Sequence, residues 1–339
     1  MKRILIIGSD HTAALEHIYL KHLLNLGNIV ELYPIQDYFL SYYSRNYFNK
    51  IVFRLGLSSI YHKLNKAVKL FVTTYQPTHI IVFKGMELFP SSLLEWKKSN
   101  IKIINYNPDN PFIFSGRGSG NHNVTNCISL FDLYCSYDKG IVLQLKQKGI
   151  NAALIPFGFE LSDQWYNQIV SMPEINRLCF IGNPDNERTS FIKALLKEKI
   201  PIDIFGSGWE KYFPSSSPLI NLYQSVYGID FWKTLRTYTI QLNLMRVHNL
   251  DSHNMRSFDI PGVGGIMLAP NTPDHIQYFE VGKEIFVFDT ITDCINKIKF
   301  LLELTINQRN GIRAAAYLKS KNYTYSQRVY WFDKLLNEL

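Results

Sequence analysis

Two short apolar runs, each ending in glycine, most restrict what this chain can fold into. Arg3-Ile4-Leu5-Ile6-Ile7-Gly8 opens the first half, and Arg177-Leu178-Cys179-Phe180-Ile181-Gly182 opens the second. Continuous apolar strands of this length, followed by glycine and a helical pattern, belong to parallel sheets covered on both faces. The two openings are an architectural echo, with no repeat in the residues themselves. At 339 residues the chain exceeds what one core usually organises, so two domains are expected.

Each half then alternates strand and helix. The first predicts helices over 14–26, 57–75, 91–98 and 139–148, and strands over 29–33, 79–83, 101–105, 132–136 and 152–156. The second predicts helices over 190–198, 229–237, 291–304 and 326–339, and strands over 202–205, 240–245, 266–269 and 285–288, with a Pro- and Ser-rich loop over 213–218. Such βα alternation gives doubly wound α/β domains. The boundaries read as an N-terminal domain over 1–160, a linker over 161–176, a second domain over 177–320 and a closing helix within 321–339.

Composition supports this and narrows the class. Hydrophobic residues at 46% and charged residues at 19% supply material for two cores. The net charge is +8, with the basic residues scattered along the chain and no arm suited to nucleic acid. Such a field favours anionic partners, namely nucleotide diphosphates, phospholipid headgroups or lipid-linked phosphates, and is equally explained as solubilising charge. Cys127, Cys135, Cys179 and Cys294 show no C-x-x-C spacing, which reads as reduced thiols of a cytoplasmic protein with no zinc site. The apolar run in MKRILIIGSD is too short for a signal-peptide core or a membrane span, so the expected location is the cytoplasm, with peripheral association at the inner face of the membrane left open. The same start lacks the G-x-G-x-x-G of a dinucleotide-binding oxidoreductase.

The chemistry concentrates between Asn243 and Asp289. An apolar run over 240–245 enters a polar loop holding Asp251 and Asp259, with seven residues between them. Gly262, Gly264 and Gly265 follow, then a second apolar run over 266–269. The order suits strand, loop, helix start and strand, with Asp259 near a helix N-terminus and the glycines letting the backbone approach a ligand. A helix N-cap is the competing role for Asp259.

This segment resembles the nucleotide-sugar site of retaining GT-B glycosyltransferases, in which two acids at this spacing precede a glycine-containing helix and an apolar strand. Arg256-Ser257-Phe258-Asp259 followed by Gly264-Gly265 is more similar still to the spore-protein-CgeB-like branch of the group 1 glycosyltransferases, and Asn322-Tyr323-Thr324-Tyr325-Ser326-Gln327-Arg328 resembles that family's closing stretch. The resemblance implies a GT-B fold: two Rossmann-like doubly wound domains facing across a cleft, the C-terminal helix packing back on the N-terminal one. It implies transfer of a sugar from a nucleotide-diphosphate sugar (UDP-, GDP- or dTDP-linked) to a glycan, lipid-linked or protein acceptor, with retention and without a metal or further cofactor. The basic charge and the aromatic content favour surface polysaccharide or glycoprotein assembly as the setting.

Residue by residue, the resemblance places Asp259 on the nucleotide ribose and Asp251 by the donor sugar. Asn254, Met255 and Arg256 would reach the sugar and diphosphate, with Phe258 beside them. Arg188, in the loop led by Gly182, would meet the pyrophosphate, and Gly206 and Gly208 would lie near the base or ribose. On the acceptor side stand Gly8, Asp10 and His11 after the first strand, Asp109 as base or hydroxyl-holder, and His122 at the end of a glycine-rich stretch over 116–122. Asp109, Asp251 and Arg256 are the catalytic candidates. A turn role for Asp109 between two prolines is the alternative. Both acids are Asp where the family mostly has Glu, which keeps a second reading in play: a catalytically inactive nucleotide-binding or structural GT-B protein.

Overall fold

The computed structural model describes residues 1–114, 118–213, 217–246 and 251–339. The described chain divides into two compact units, 1–156 with 325–339, and 157–324.

In the first unit, strands β1 (Arg3–Ile7), β2 (Ile29–Tyr33), β3 (His79–Phe83), β4 (Lys102–Asn107), β5 (Leu133–Ser136) and β6 (Ala152–Leu154) form a parallel sheet in the order β2-β1-β3-β4-β5-β6. Ile4, Leu5, Ile6 and Ile7 are each at most 1% exposed, because helices cover both faces of the strand. Burying each such side chain contributes about 1.5–3 kcal/mol. The helices are α1 (Leu15–Asn25), α2 (Ile35–Ser44), α3 (Tyr47–Arg54), α4 (Ile60–Tyr75), α5 (Pro90–Lys98), α6 (His122–Cys127) and α7 (Lys139–Gln147).

The second unit begins with α8 (Asp163–Ile169), a helix within the stretch read as linker. Strands β7 (Ile175–Ile181), β8 (Ile202–Phe205), β9 (Ile220–Tyr223), β10 (Tyr238–Leu242), β11 (Met267–Pro270) and β12 (Phe286–Phe288) form a second parallel sheet, ordered β12-β11-β10-β7-β8-β9. Between and after them run α9 (Asn186–Lys197), α10 (Gly228–Thr237), α11 (Arg256–Gly262), α12 (Pro273–Tyr278), α13 (Ile291–Glu303) and α14 (Ile306–Ser320). The last helix, α15 (Tyr325–Asn337), belongs to the first unit. There Lys2 meets Asp333 at 2.9 Å, and the Phe332 ring lies edge-on to Tyr19 with centroids 5.3 Å apart.

Both sheets change direction beside their first strand. β1 lies between β2 and β3, and β7 between β8 and β10. Open α/β sheets bind ligands at the carboxyl ends of the strands at such reversals, so the loops after β1 and β3, and after β7 and β10, are where chemistry is expected.

Several elements depart from the sequence expectation. The stretch after Phe213 carries strand β9, while residues 214–216 of the expected loop lie outside the described residues. Helix α14 was not anticipated, because its buried set (Arg313, Ala316, Ser320) gives no apolar stripe. Its readable signal is a capping box, Thr305 with Gln308. Helices α2 and α3, between β2 and α4, were not anticipated either. The four cysteines are buried free thiols.

Candidate functional site

At the reversal of the second sheet, Arg188 ties two loops together. Asp185 caps α9 by accepting from the Arg188 backbone N at 2.9 Å, which fixes the first turn of the helix. From there the guanidinium donates through Nη1 to the Asn183 carbonyl at 3.2 Å and through Nη2 to the Leu244 carbonyl at 2.8 Å. One loop follows β7 and the other follows β10, so a single cation spans the reversal. Its plane lies over Phe180, 5.5 Å from the ring centroid. Burial lowers the Arg188 pKa to about 10; Asp185, 3.5 Å away, opposes that shift, while Arg246 and Arg256 add to it. Arg188 therefore stays charged at neutral pH. Arg246 and Arg256 repel its charge, and an oligo-anion bound beside it would relieve that repulsion.

Arg256 opens α11 and pairs with Asp259 one turn on, Nη1 to Oδ2 at 2.7 Å. Its guanidinium also stacks over Phe231 of α10, 4.3 Å from the centroid, as cation–π geometry prefers. Asp259 is only 4% exposed. Burial raises its pKa to about 6 and the Arg256 charge pulls the other way. The helix begins three residues before Asp259, so the N-cap role is excluded: Asp259 sits inside the helix with its carboxylate on Arg256.

Beneath this surface lies a buried polar network. Asn243, just beyond β10, donates to Ser257 Oγ at 3.1 Å and accepts from Asn254 Nδ2 at 2.8 Å. Ser257 Oγ lies 2.8 Å from His275 Nε2, and the other ring nitrogen, Nδ1, lies 2.8 Å from the Pro270 carbonyl. A carbonyl only accepts, so Nδ1 carries the proton and Nε2 accepts from Ser257. Burial holds the His275 pKa down at about 4, so the ring is neutral. A second histidine, His253, places Nδ1 2.7 Å from Asp274 Oδ2 and accepts from the Phe157 backbone N at 3.3 Å. Ser257 with His275 has the spacing of a nucleophile and its base. Both are at most 1% exposed, however, and Asn243 and the Asn254 backbone N also donate to Ser257, so the pair positions the loop.

In the second unit the expected residues fall into three groups. Arg188, Asn254, Arg256 and Asp259 make the contacts just described, and Phe258 lies edge-on to the His253 ring, with Met255 just before α11. Asp251 is exposed on the same loop, beside residues 247–250, which lie outside the described set. The glycines form the third group, and here the expectation needs correcting. A Cβ on Gly262 would stand 2.6 Å from the Phe159 ring, one on Gly265 2.8 Å from Gln241 Oε1, and Gly264 (φ +69°) passes over the Arg313 carbonyl. These three glycines admit other parts of the protein rather than a ligand. Gly206 likewise faces the Gly182 carbonyl at a distance no Cβ tolerates, and Gly208 turns at φ +93°.

In the first unit, Gly8 lies against the buried Glu16, which accepts from the Ser9 backbone N at 2.9 Å. Asp10 pairs with His17 at 2.7 Å, and His11 Nδ1 accepts from Ala13 N at 3.2 Å. Asp109 pairs with Lys84 at 2.6 Å, while its backbone N donates to Asn107 Oδ1 at 3.0 Å, the turn geometry that its flanking prolines suggested. His122 is exposed at the start of α6. Of the stretch expected over 116–122, residues 116 and 117 lie outside the described set. Sequence reasoning passed over Glu87 and Asn105, buried polar residues whose Oε2 and Oδ1 have no hydrogen-bond partner among the described residues. It also passed over Arg246, Asn243, Ser257, His253 and His275. Their signal was position: Asn243 and Arg246 follow the buried strand β10, and His275 follows the buried strand β11.

A family model described as glycosyl transferase-like matches residues 188–333. Among solved structures, a trehalose-6-phosphate synthase, studied with bisubstrate glycomimetics for glycosyl transfer with retention, superposes with a TM-score of 0.68 at 11% identity, over 99% of each chain. HepE of Anabaena, crystallised with UDP-glucose, gives 0.66 at 12% identity over 100% of each chain. The fold is GT-B. A UDP-N-acetylglucosamine 2-epimerase from Listeria monocytogenes, 10% identical, reaches 0.53 over 94% of this chain and 93% of its own, so GT-B architecture alone does not choose between transfer and epimerisation. Among curated proteins, none matches the sequence of this chain.

Proposed function

We infer that the chain is a glycosyltransferase that takes a sugar from a nucleotide-diphosphate sugar, a hexosyl donor among them, and passes it to a hydroxyl acceptor. The observation that carries this reading is Arg188 at the reversal of the second sheet, with Arg246 and Arg256 close enough to perturb it. A diphosphate seated there would meet fixed cations and the first turn of α9, where backbone N–H groups favour negative charge. Asp259 would accept the ribose hydroxyls, and Asn254 would face the sugar end of the loop.

The chemistry follows from those placements. As the bond between the anomeric carbon and the phosphate oxygen breaks, charge grows on the leaving diphosphate, and the arginines stabilise it more than they stabilise the intact donor. The acceptor oxygen then bonds to the anomeric carbon, and its proton passes to the departing phosphate oxygen. This route gives retention and asks for no protein nucleophile, metal or further cofactor. It suits the CgeB-like branch, with a glycan, lipid-linked or protein acceptor, polysaccharide assembly as the setting and the cytoplasm as the location. Asp109 or Asp10, at the ends of the first sheet, would hold the acceptor.

The test is a panel of UDP-, GDP-, dTDP- and CMP-sugars, read by thermal shift and by donor hydrolysis, with Arg188→Ala and Asp259→Ala in parallel. Stabilisation and slow hydrolysis by one donor, lost in both variants, is the expected result. Binding without turnover in the presence of candidate acceptors would favour the inactive nucleotide-binding reading, kept open by the two aspartates. Binding to none of the donors removes the assignment.

A further inference from the structure

The scattered look of the basic residues conceals an asymmetry. Between Asp37 and Glu87 the chain contains no acidic residue, while Arg45, Lys50, Arg54, Lys63, Lys66, Lys69 and Lys84 fall inside that interval. Lys69 is matched by Glu95 and Lys84 by Asp109, acids from outside the interval. Arg45, Arg54, Lys63 and Lys66 are exposed, and Lys50 is half-buried.

The same interval holds α3, an eight-residue helix with no buried residue. Its inner face is held firmly: Asn46 caps it, Asn49 Nδ2 donates to the Tyr42 carbonyl at 2.8 Å, and Phe53 packs among Phe39, Tyr43 and Tyr61. Helical spacing then turns Tyr47, Phe48, Ile51 and Leu55 to the opposite side, with Lys50 and Arg54 along one edge. Tyr47 is 72% exposed, Phe48 71% and Leu55 66%, and Leu57 beyond the turn reaches 74%. A rigid helix that points aromatic and aliphatic side chains outward, edged by cations, departs from the polar outer face of an ordinary surface helix.

We propose that α3 and the turn after it are a docking surface for an anionic phospholipid bilayer, with Tyr47, Phe48, Ile51, Leu55 and Leu57 entering the headgroup–acyl boundary and Arg45, Lys50, Arg54, Lys63 and Lys66 facing the lipid phosphates. Charge complementarity selects this occupant. An interval with seven cations and no acid, five of those cations without an acidic partner among the described residues, repels a second copy of itself, whereas an anionic leaflet attracts it. No described helix is long and apolar enough to cross a membrane, so the attachment is peripheral. The inference stands apart from the donor chemistry, since none of these residues belongs to the second unit.

The experiment is co-sedimentation of the full chain with vesicles of phosphatidylcholine alone and of equal parts phosphatidylcholine and phosphatidylglycerol. Partitioning onto the anionic vesicles is expected to be roughly tenfold or more stronger, and to weaken as salt is raised, because each cation near the surface contributes separately and is screened. Phe48→Ser combined with Leu55→Ser should abolish sedimentation, and Lys50→Gln combined with Arg54→Gln should reduce the preference for anionic lipid. Both variants should keep the wild-type melting temperature. Equal partitioning onto neutral and anionic vesicles, no sedimentation, or wild-type binding by the Phe48/Leu55 variant would each overturn the proposal. So would a concentration-dependent dimer in light scattering that this variant returns to monomer, since the face would then belong to a second copy.

Discussion

Arg188 Nη2 lies 2.8 Å from the carbonyl oxygen of Leu244, a residue 56 positions further along the chain. The bond joins the loop after β7 to the loop after β10, and it makes Arg188 both a structural tie and the most buried cation of the candidate diphosphate site. Its side chain is 10% exposed.

That double role predicts a separable result. Arg188→Lys keeps a charge but loses the fork that reaches two carbonyls at once. Donor affinity should fall about 10- to 100-fold, as the loss of a charge-assisted hydrogen bond of about 1.5–3 kcal/mol implies. Arg188→Ala should lose at least as much affinity and also lower the melting temperature, because the Leu244 and Asn183 carbonyls lose their donor. Calorimetric titration with the donor found by the panel checks both; unchanged affinity in the alanine variant would remove Arg188 from the site.

Asp259 predicts a pH limb. Its pKa is raised by burial from 3.8 to about 6. If its carboxylate holds ribose hydroxyls, donor affinity should decline as pH falls through about 6, and Asp259→Asn should bind weakly with that limb gone. The sign for stability is the reverse. A carboxyl whose folded pKa lies above its unfolded value contributes stability that is complete below 3.8 and lost as pH rises through 6, a loss on the order of 3 kcal/mol. Asp259→Asn should therefore melt higher than the wild type at pH 8 while binding donor less well. A variant that melts lower at pH 8 would show that the Arg256 pair outweighs the burial.

How much of this was legible beforehand depended on which residues carried the pattern. Strands β3 and β8 lie where their apolar runs placed them, because a strand buried on both faces leaves no freedom in register; the half-exposed edge strand β2 also keeps its expected bounds. Arg188 and Asp259 became candidates through their neighbours in sequence. The glycines misled: Gly262, Gly264 and Gly265 look like a ligand loop, yet their missing Cβ atoms make room for Phe159, Arg313 and Gln241, residues from distant parts of the same unit. No local pattern reports that kind of contact. The Ser257–His275 pair was hidden for the same reason, since 18 residues separate its halves. The acid-free interval around α3 was visible but is defined by absent residues, which a search for basic clusters does not detect.

Ser257→Ala tests whether that pair positions or reacts. His275 Nε2 would lose its donor, and Asn243 and Asn254 would lose an acceptor, at a cost of about 1–3 kcal/mol. The melting temperature should fall and the KM for donor rise. Fluorophosphonate reagents should leave the wild-type Ser257 unlabelled, and stoichiometric labelling would expose a nucleophile. His275 adds an acid dependence. The unfolded imidazole binds a proton near 6.5 and the folded one only near 4, so this contribution is present above 6.5 and lost as pH falls toward 4.

Glu87 gives the opposite dependence in the first unit. It follows Lys84 and Gly85, both at positive φ (+60° and +92°), and Asn65 pins its loop by donating to the Glu87 carbonyl at 2.8 Å and accepting from the Phe89 backbone N at 2.9 Å. The carboxyl is 4% exposed, Oε2 has no hydrogen-bond partner among the described residues, and burial raises its pKa to about 7. Below 4.5 both folded and unfolded forms are protonated and the contribution is whole. Between 4.5 and 7 the unfolded chain ionises while the folded one resists, so stability drains away with rising pH, on the order of 3 kcal/mol in total. Glu87→Gln removes the titration and keeps the shape. The variant and the wild type should melt together near pH 4.5, and the variant should melt several degrees higher at pH 8. Coincident melting at both pH values would mean that Glu87 is ionised in the folded protein at neutral pH, with a partner cation that Lys84 is placed to supply.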